Sequence, residues 1–349
     1  MQKITVILLL SLVFFSCKVK KSEDAGSEQQ NTFIIKGFSN EYYGKLYVED
    51  SEETFSPGWI AIYRESNNEE IIRVEVEQLY FELHDGEVKA NIQELPYGEQ
   101  SVIIYDDFNF DGIKDFAIMD GQESCYGGPS FSIYLGDDKG NFNFNEDFTR
   151  LAHDYCGMFD YDANEKVINT MTKSGCCWHQ FSRFVVENNS PVEIYTAVVD
   201  AFNFPYEITT VTERKNGKTI ETTTREIDVS SIDAILTFSL ENGKKVFVFP
   251  MTSSNVLNYV LLKVDETSEF DYYYDVKESN RENFKLETTS QGKTLTFSNR
   301  NVVYEIYEFD DMIGVKVNID GQVYDLKGKL STKQGSLSKI STENYENVF

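Results

Sequence analysis

Apolar residues in this chain come mostly in short runs, often alternating with polar ones and separated by Asn, Asp, Ser and Gly, which is the pattern of strands joined by tight turns. It predicts strands over Thr32–Gly37, Gly44–Val48, Trp59–Arg64, Ile71–Val76, Gln78–Leu83, Ser101–Tyr105, Phe116–Met119 and Ser130–Leu135. Gly136–Asn141 (GDDKGN) reads as a hairpin turn leading into a strand over Phe142–Phe148, and a further hairpin is expected through Asp160–Lys166. A Thr-rich polar stretch, Thr209–Thr224, predicts an extended hairpin around Asn216-Gly217. Strand patterns follow over Ala234–Leu240, Lys245–Pro250, Asn258–Val264, Phe270–Tyr274, Thr294–Ser298, Val302–Phe309, Gly314–Ile319 and Val323–Lys327. Gly243, Gly292 and Gly321 mark turns among them, and Gln334–Ile340 reads as a closing segment. Past the N-terminus no window of about ten residues keeps a clean helical period. The expected class is all-β, with a compact meander domain over residues 32–200, a connecting polar hairpin over 201–227 and a second β-rich domain over 228–349.

One apolar run departs from this pattern. Lys3 precedes Ile4–Phe15, and Ser16 stands immediately before Cys17. The run is well short of the ~20 residues that a spanning helix needs, so residues 1–16 read as a lipoprotein signal peptide with Cys17 as the lipidated residue. Phe14 stands where Leu is usual, and a plain secretory signal is the alternative. Residues 17–31 carry Lys, Ser, Glu and Gln with Val19 as the one sizeable aliphatic residue; they cannot bury a core and read as a disordered tether. The expected place is a bacterial cell envelope, on a membrane through the lipid anchor alone, with the outer membrane favoured and the folded part facing periplasm or cell surface.

Charge narrows the partners. Asp and Glu number 58 against 32 Lys and Arg, for a formal net charge of −26, which loss of Lys3 with the signal would make one unit more negative. Nucleic acid and anionic lipid surfaces are thereby disfavoured, whereas a cationic protein would be drawn in at long range; solubility alone is the plainer use of such acidity.

The most specific chemistry lies between two predicted strands, in YDDFNFDGIKDFAIMDGQ from Tyr105 to Gln122. Asp107, Asn109, Asp111 and Asp115 fall at Asp-x-Asn-x-Asp-Gly-x-x-Asp spacing, with Gly112 at the sixth position to permit a sharp bend. Alternate residues thus offer hard oxygen donors to Ca2+: side chains of Asp107, Asn109, Asp111 and Asp115, and the backbone carbonyl of Ile113. An EF-hand would carry Glu at the twelfth position and helices on both sides; here Ile118 stands there between strands. Calcium in such a loop is expected to be structural, since it neutralises clustered carboxylates; an acidic turn that binds nothing is the alternative. Asp160, Asp162 and Asn164 imitate the pattern, but Glu165 occupies the glycine position, so that segment reads as a turn.

With Cys17 lipidated, Cys125, Cys156, Cys176 and Cys177 form an even set that suits disulfides in an oxidising envelope. Adjacent residues of a strand face opposite sides, so Cys176 and Cys177 are expected to pair with Cys125 and Cys156, in either combination, in preference to each other. A zinc site is the rival use of these cysteines, and the chain has no second cysteine pair at metal spacing. Histidines are three: His84, His153 and His179. None lies in a recognised catalytic motif, and although His153-Asp154 with Trp178-His179 could assemble an acid–base pair, no enzyme activity is expected. After the loop's second strand, Tyr126-Gly127-Gly128-Pro129-Ser130 forms a turn that presents an aromatic residue, next to a cysteine able to pin it. A rigid aromatic of this kind can anchor in a partner's pocket, or pack locally over the glycines.

Three segments in order, DFNFDGIKDFAI, SCYGGPSFSIYL and SGCCWHQFSRFVV, make the chain over roughly residues 32–189 similar to a known family. It resembles the calcium-binding periplasmic lysozyme-inhibitor lipoproteins that act as immunity proteins against secreted peptidoglycan hydrolases. The resemblance implies a small β-propeller-like fold, with a calcium loop also similar to integrin-type FG-GAP repeats. It implies Asp107, Asn109, Asp111, Ile113 and Asp115 as calcium ligands, Tyr126–Ser130 as the hydrolase-binding turn, and occlusion of the enzyme's cleft as the mode of inhibition. The C-terminal half, with Asn299–Glu308 followed by Ile313–Leu326, is only loosely similar to small β modules of other lysozyme inhibitors. The alternative function is a non-inhibitory envelope module for glycan or protein partners; a third reading is a hydrolase with carboxylates that no motif singles out.

Overall fold

The protein is described by a computed structural model that covers residues 31–95, 97–215, 217–251, 255–273 and 283–349. The signal peptide, Cys17 and the tether up to Gln30 lie outside the described residues, as do Asn216 and Tyr274.

Five antiparallel sheets account for the chain among these residues, and no closed propeller or barrel is formed. The first is a meander of β1 (Thr32–Ile35), β2 (Tyr42–Val48), β3 (Ser56–Arg64) and β4 (Glu70–Leu79). The separate strands expected over Ile71–Val76 and Gln78–Leu83 are one strand up to Leu79, because alternation continues through Val74, Val76 and Leu79 with a register shift opposite Ser56–Gly58. The second sheet holds β5 (Ile103–Asp106), β6 (Asp115–Gly121), β7 (Ser130–Gly136) and β8 (Phe142–Phe144). The strand expected over Phe142–Phe148 stops at Phe144, and a helix, α1 (Glu146–His153), takes over. Asn145 caps it by accepting from the Phe148 amide at 3.0 Å, and its apolar side, Phe148, Leu151 and Ala152, is buried.

The third sheet runs β9 (Asp160–Asp162), β10 (Val167–Ser174), β11 (Trp178–Glu187), β12 (Ser190–Asp200), β13 (Tyr206–Lys215) and β14 (Lys218–Ile227). The Thr-rich hairpin is therefore β13–β14, closed by Lys215 opposite Lys218, and it extends this sheet through β12. The fourth sheet comprises β15 (Leu236–Ser239), β16 (Lys245–Pro250), β17 (Leu257–Leu262) and β18 (Ser268–Tyr272). The fifth comprises β19 (Lys285–Thr289), β20 (Gly292–Asn299), β21 (Val302–Phe309), β22 (Ile313–Ile319) and β23 (Gln322–Lys327), and β24 (Gln334–Gly335) closes onto β15.

Two large apolar cores follow from this pairing. One joins the first two sheets, α1 and β10–β11 through Leu46, Ile60, Ile103, Phe116, Phe131, Phe148 and Ile168, among others. The other joins the fourth and fifth sheets around Leu236, Tyr259, Phe284 and Phe297. A small cluster of Tyr206, Phe249, Val260 and Leu262 connects β13 to β16 and β17. The first core matters most for the site. Within it Phe116 packs against Phe38, Tyr42, Tyr105 and Phe142 with centroids between 4.5 and 6.0 Å, fixing the two strands that carry the acidic loop.

Candidate functional site

Asp106 pairs with Asp115 at the mouth of the β5–β6 hairpin, so residues 107–114 form its loop. Phe108 points inward, fully buried, edge-on to Phe159 at 5.6 Å and Tyr161 at 5.4 Å. Polar side chains on either side of it turn back on the loop's own amides. Asp107 accepts from the amides of Asp111 at 3.1 Å and Gly112 at 2.9 Å; Asn109 accepts from Asp111 at 3.2 Å, and Asp111 from Ile113 at 2.8 Å. Phe110 and Gly112 both take positive φ, 64° and 91°, and glycine meets that demand without strain. The Asn188-Asn189 turn of β11–β12 closes over the loop: Asn109 Nδ2 donates to Asn189 Oδ1 at 3.1 Å, and Asn145 Nδ2 to the Asn189 carbonyl at 3.1 Å.

Asp115 is fully buried and holds the loop's far end, accepting from the Phe108 amide at 2.8 Å and the Gly136 amide at 2.9 Å. Burial pushes its carboxyl up to about 7, helped by the charges of Asp107 and Asp111 and opposed by the two amides. The donor set is all oxygen, which suits calcium chemically. Its three carboxylates do not converge, however: among the described residues the one group of three or more His, Cys, Asp or Glu with ligand atoms all within 4.8 Å of one another is Glu82, His84 and Glu99. Asp107 and Asp115 face separate sets of amides, so a cation here would have to gather them.

The second expected site follows β6 directly. Cys125–Gly127 is one 3-10 turn, in which Tyr126 takes φ 57° and stands 66% exposed. Its hydroxyl accepts from the Gly175 amide, and Lys173 Nζ lies 5.1 Å from its ring and 4.1 Å from that of Tyr97, itself 57% exposed. The Cys125–Cys156 disulfide, with Cα atoms 4.7 Å apart, ties the turn to the segment after α1, and the Cys125 amide donates to the Tyr155 carbonyl at 3.3 Å. Gly127 is exposed, and Gly128 and Pro129 are half-buried.

Two expectations about this region are corrected. Ser130 is fully buried as the first residue of β7 and donates to Asp120 Oδ1 at 2.7 Å, so it cannot meet a partner. The disulfide pairing is Cys125–Cys156 and Cys176–Cys177. Cys176 and Cys177 lie in the turn between β10 and β11, where strand alternation does not apply, with Cα atoms 3.8 Å apart.

The histidines separate. His153 Nε2 meets Asp120 Oδ2 at 2.8 Å, and Ser132 donates to the same oxygen at 2.7 Å. Asp120 thus stands between the imidazole and the two serine hydroxyls, whereas activating a serine needs the imidazole in the middle. His179 stacks on Phe181 with centroids 6.5 Å apart.

Residues that the sequence did not single out complete the neighbourhood. A cavity of about 310 Å³ is lined by Tyr80, Glu82, Tyr97, Glu99, Met119 and Pro129, among others. A second of about 230 Å³ runs along Cys125–Pro129 and shares Tyr97, Gly98, Gln100 and Pro129 with the first, so the two form one groove beside the Tyr126 turn. Gly136 is the other addition: a Cβ there would lie 2.6 Å from the Lys114 carbonyl, so the amide that holds Asp115 comes from a position open to glycine alone. An uninterrupted GDDKGN motif signalled a turn, not this close approach.

No family model and no curated protein matches this chain. Among solved structures it is similar to a Xanthomonas type IV secretion system related protein, at 20% identity over 55% of this chain and 93% of that one, with a TM-score of 0.44. It is more remotely similar to a protein described as a 6-phosphogluconolactonase from Bacteroides uniformis, at 10% identity over 84% of this chain and 83% of that one, with a TM-score of 0.22. Likenesses of this degree carry no conclusion about function. Among the described residues no helix is long and apolar enough to cross a membrane.

Proposed function

We propose that this chain is a lipid-anchored, calcium-binding protein of the bacterial cell envelope that binds a lysozyme-like peptidoglycan hydrolase and blocks its cleft with the Tyr126 turn. The observation that carries this reading is a large aromatic ring, two-thirds exposed, on a turn fixed by a disulfide and by a hydrogen bond to its own hydroxyl. Such a residue gives up little freedom on insertion into a pocket, and that favours it as an anchor. Asp107, Asn109, Asp111, Ile113 and Asp115 would hold Ca2+, which supplies neutralisation of carboxylates that otherwise repel. Because β6 leads from Asp115 to the Tyr126 turn, the ion would act on recognition by keeping that strand in place. A strongly acidic body suits a basic hydrolase by raising the rate of encounter.

The reading is tested by titrating the purified chain into a panel of lysozymes at low salt with calcium present. Inhibition of at least one, weakened by salt and lost in Tyr126→Ala, is expected; no inhibition of any would overturn it. The groove lined by Tyr80 and Tyr97 favours a second reading, a non-inhibitory module that takes a glycan or protein segment of the envelope. Retention of the chain on insoluble peptidoglycan, without inhibition, would select it.

A further inference from the structure

We infer that Glu82, His84 and Glu99 form a binding site for a divalent transition metal, of the zinc class, at the edge of the groove beside the Tyr126 turn. All three come from the segment between β4 and β5, and their ligand atoms lie within 4.8 Å of one another. His84 Nε2 is 2.7 Å from Glu99 Oε1.

The placement is built by two small turns. His84 and Glu87 exchange backbone hydrogen bonds of 2.8 and 3.1 Å around Asp85-Gly86, both at positive φ, which is a tight turn that suits Asp-Gly. Glu82 precedes His84 by two residues, so in extended backbone the two side chains leave on the same side. Glu99 is brought across by a second turn, in which the Glu94 amide donates to the Glu99 carbonyl at 2.8 Å and the Gly98 amide to the Glu94 carbonyl at 2.7 Å. Glu82 is oriented in turn, since the Tyr80 hydroxyl donates to its Oε1 at 2.7 Å, the kind of support that positions ligating carboxylates.

The donor set distinguishes this site from the acidic loop. One imidazole nitrogen with two carboxylates suits zinc, manganese, iron or cobalt, whereas calcium and magnesium prefer oxygen throughout. Lys89 is engaged by Glu87, so among the described residues no lysine or arginine neutralises Glu82 or Glu99. Three ligands from the protein leave room for a water or a donor from an occupant of the groove, because Glu82 and Glu99 both line its larger cavity.

The test is calorimetric titration of the purified full-length chain with Zn2+ in excess Ca2+, repeated with Co2+ to read the visible absorption of a nitrogen–oxygen site. Binding of one zinc per chain is expected, weakened about tenfold or more in each of His84→Ala, Glu99→Gln and Glu82→Gln. Glu82 is exposed, and its substitution leaves the fold intact if the others do not. Absence of zinc binding to the wild-type chain, or affinity unchanged in well-folded variants, would overturn the site and leave Glu82, His84 and Glu99 an ion pair with a neighbour. Neither result bears on inhibition of a hydrolase, which is read separately.

Discussion

The amide of Gly136 donates to Oδ1 of Asp115 across 2.9 Å, and this bond fastens the end of β7 to the far end of the acidic loop. The contact needs the backbones close together, so a side chain at 136 has nowhere to go: its Cβ would stand 2.6 Å from the Lys114 carbonyl and 2.9 Å from Ile113 Cγ2. Gly136→Ala is therefore expected to destabilise the fold by about 1–3 kcal/mol, the usual range for overpacking. Urea unfolding followed by tyrosine and tryptophan fluorescence would measure it.

Calcium removal is the direct check on the loop. Asp115 is buried beside Asp107 and Asp111, and no lysine or arginine of the described residues is placed in ion-pair range of these three; Lys114, its neighbour in the chain, pairs with Asp106 at 3.1 Å. An ion bound only by the folded state adds about 2.7 kcal/mol at a hundredfold excess over its Kd. The melting temperature is expected to fall on chelation and recover with added calcium. In Asp111→Asn the calcium-dependent part of the shift should be smaller, since one charge of the cluster is gone.

A pH prediction concerns a different carboxylate. Glu70 accepts from Arg73 Nη2 at 2.6 Å and from the Tyr63 hydroxyl at 2.5 Å, and the arginine bond first, then the tyrosine bond, hold its pKa down to about 2. Because the folded value is depressed, the pair's stabilisation is present above the unfolded value near 4.5 and is lost as pH falls towards 2. Both side chains are about one-third exposed, so solvent screening limits the effect to roughly 0.5–1 kcal/mol. Glu70→Gln should lower stability by that much at neutral pH and by progressively less as pH falls through 2, measured as the difference between denaturant midpoints.

The disulfides separate stability from position in the chain. Cys125–Cys156 closes a loop of 31 residues, which in the chain-entropy picture is worth about 3–4 kcal/mol. Cys176–Cys177 joins neighbours and closes only the small ring of two residues, so its removal should free the unfolded chain far less. Replacing the first pair by serine is expected to lower the melting temperature well below that of the second replacement, with differential scanning calorimetry as the measure.

Local rules made most of the strands legible. Alternation and turn residues marked β2, β3, β16, β21 and β22 closely, since each depends on its own sequence. Helix α1 escaped because eight residues with three large or small apolar positions give too short a period to stand out. The Asp-x-Asn-x-Asp-Gly spacing placed the loop on its hairpin, but its closure by Asn189 and Gly136 comes from partners distant in the chain. Glu99 meets His84, fifteen residues away in the chain, through two turns, a juxtaposition that no motif encodes. The vicinal disulfide was misread for a related reason: the alternation argument assumes a strand, and the residues occupy a turn.

Tyr126 and Ser130 lie four residues apart and should fail in opposite ways. Tyr126 is 66% exposed and its ring packs against Lys173 at 5.1 Å, whereas Ser130 is buried and bonded to Asp120 at 2.7 Å. Tyr126→Ala removes the proposed anchor but little of the core, so affinity for a hydrolase is expected to drop by about 2 kcal/mol or more, as for a central aromatic, with the melting temperature nearly unchanged. Ser130→Ala removes one of three hydrogen bonds to a partly buried carboxylate, alongside those from Ser132 and His153, and should cost about 1 kcal/mol of stability. Its inhibition should be intact wherever the protein is folded. Inhibition constants and melting curves of the two variants, taken together, distinguish a turn that touches the enzyme from one that only supports β7.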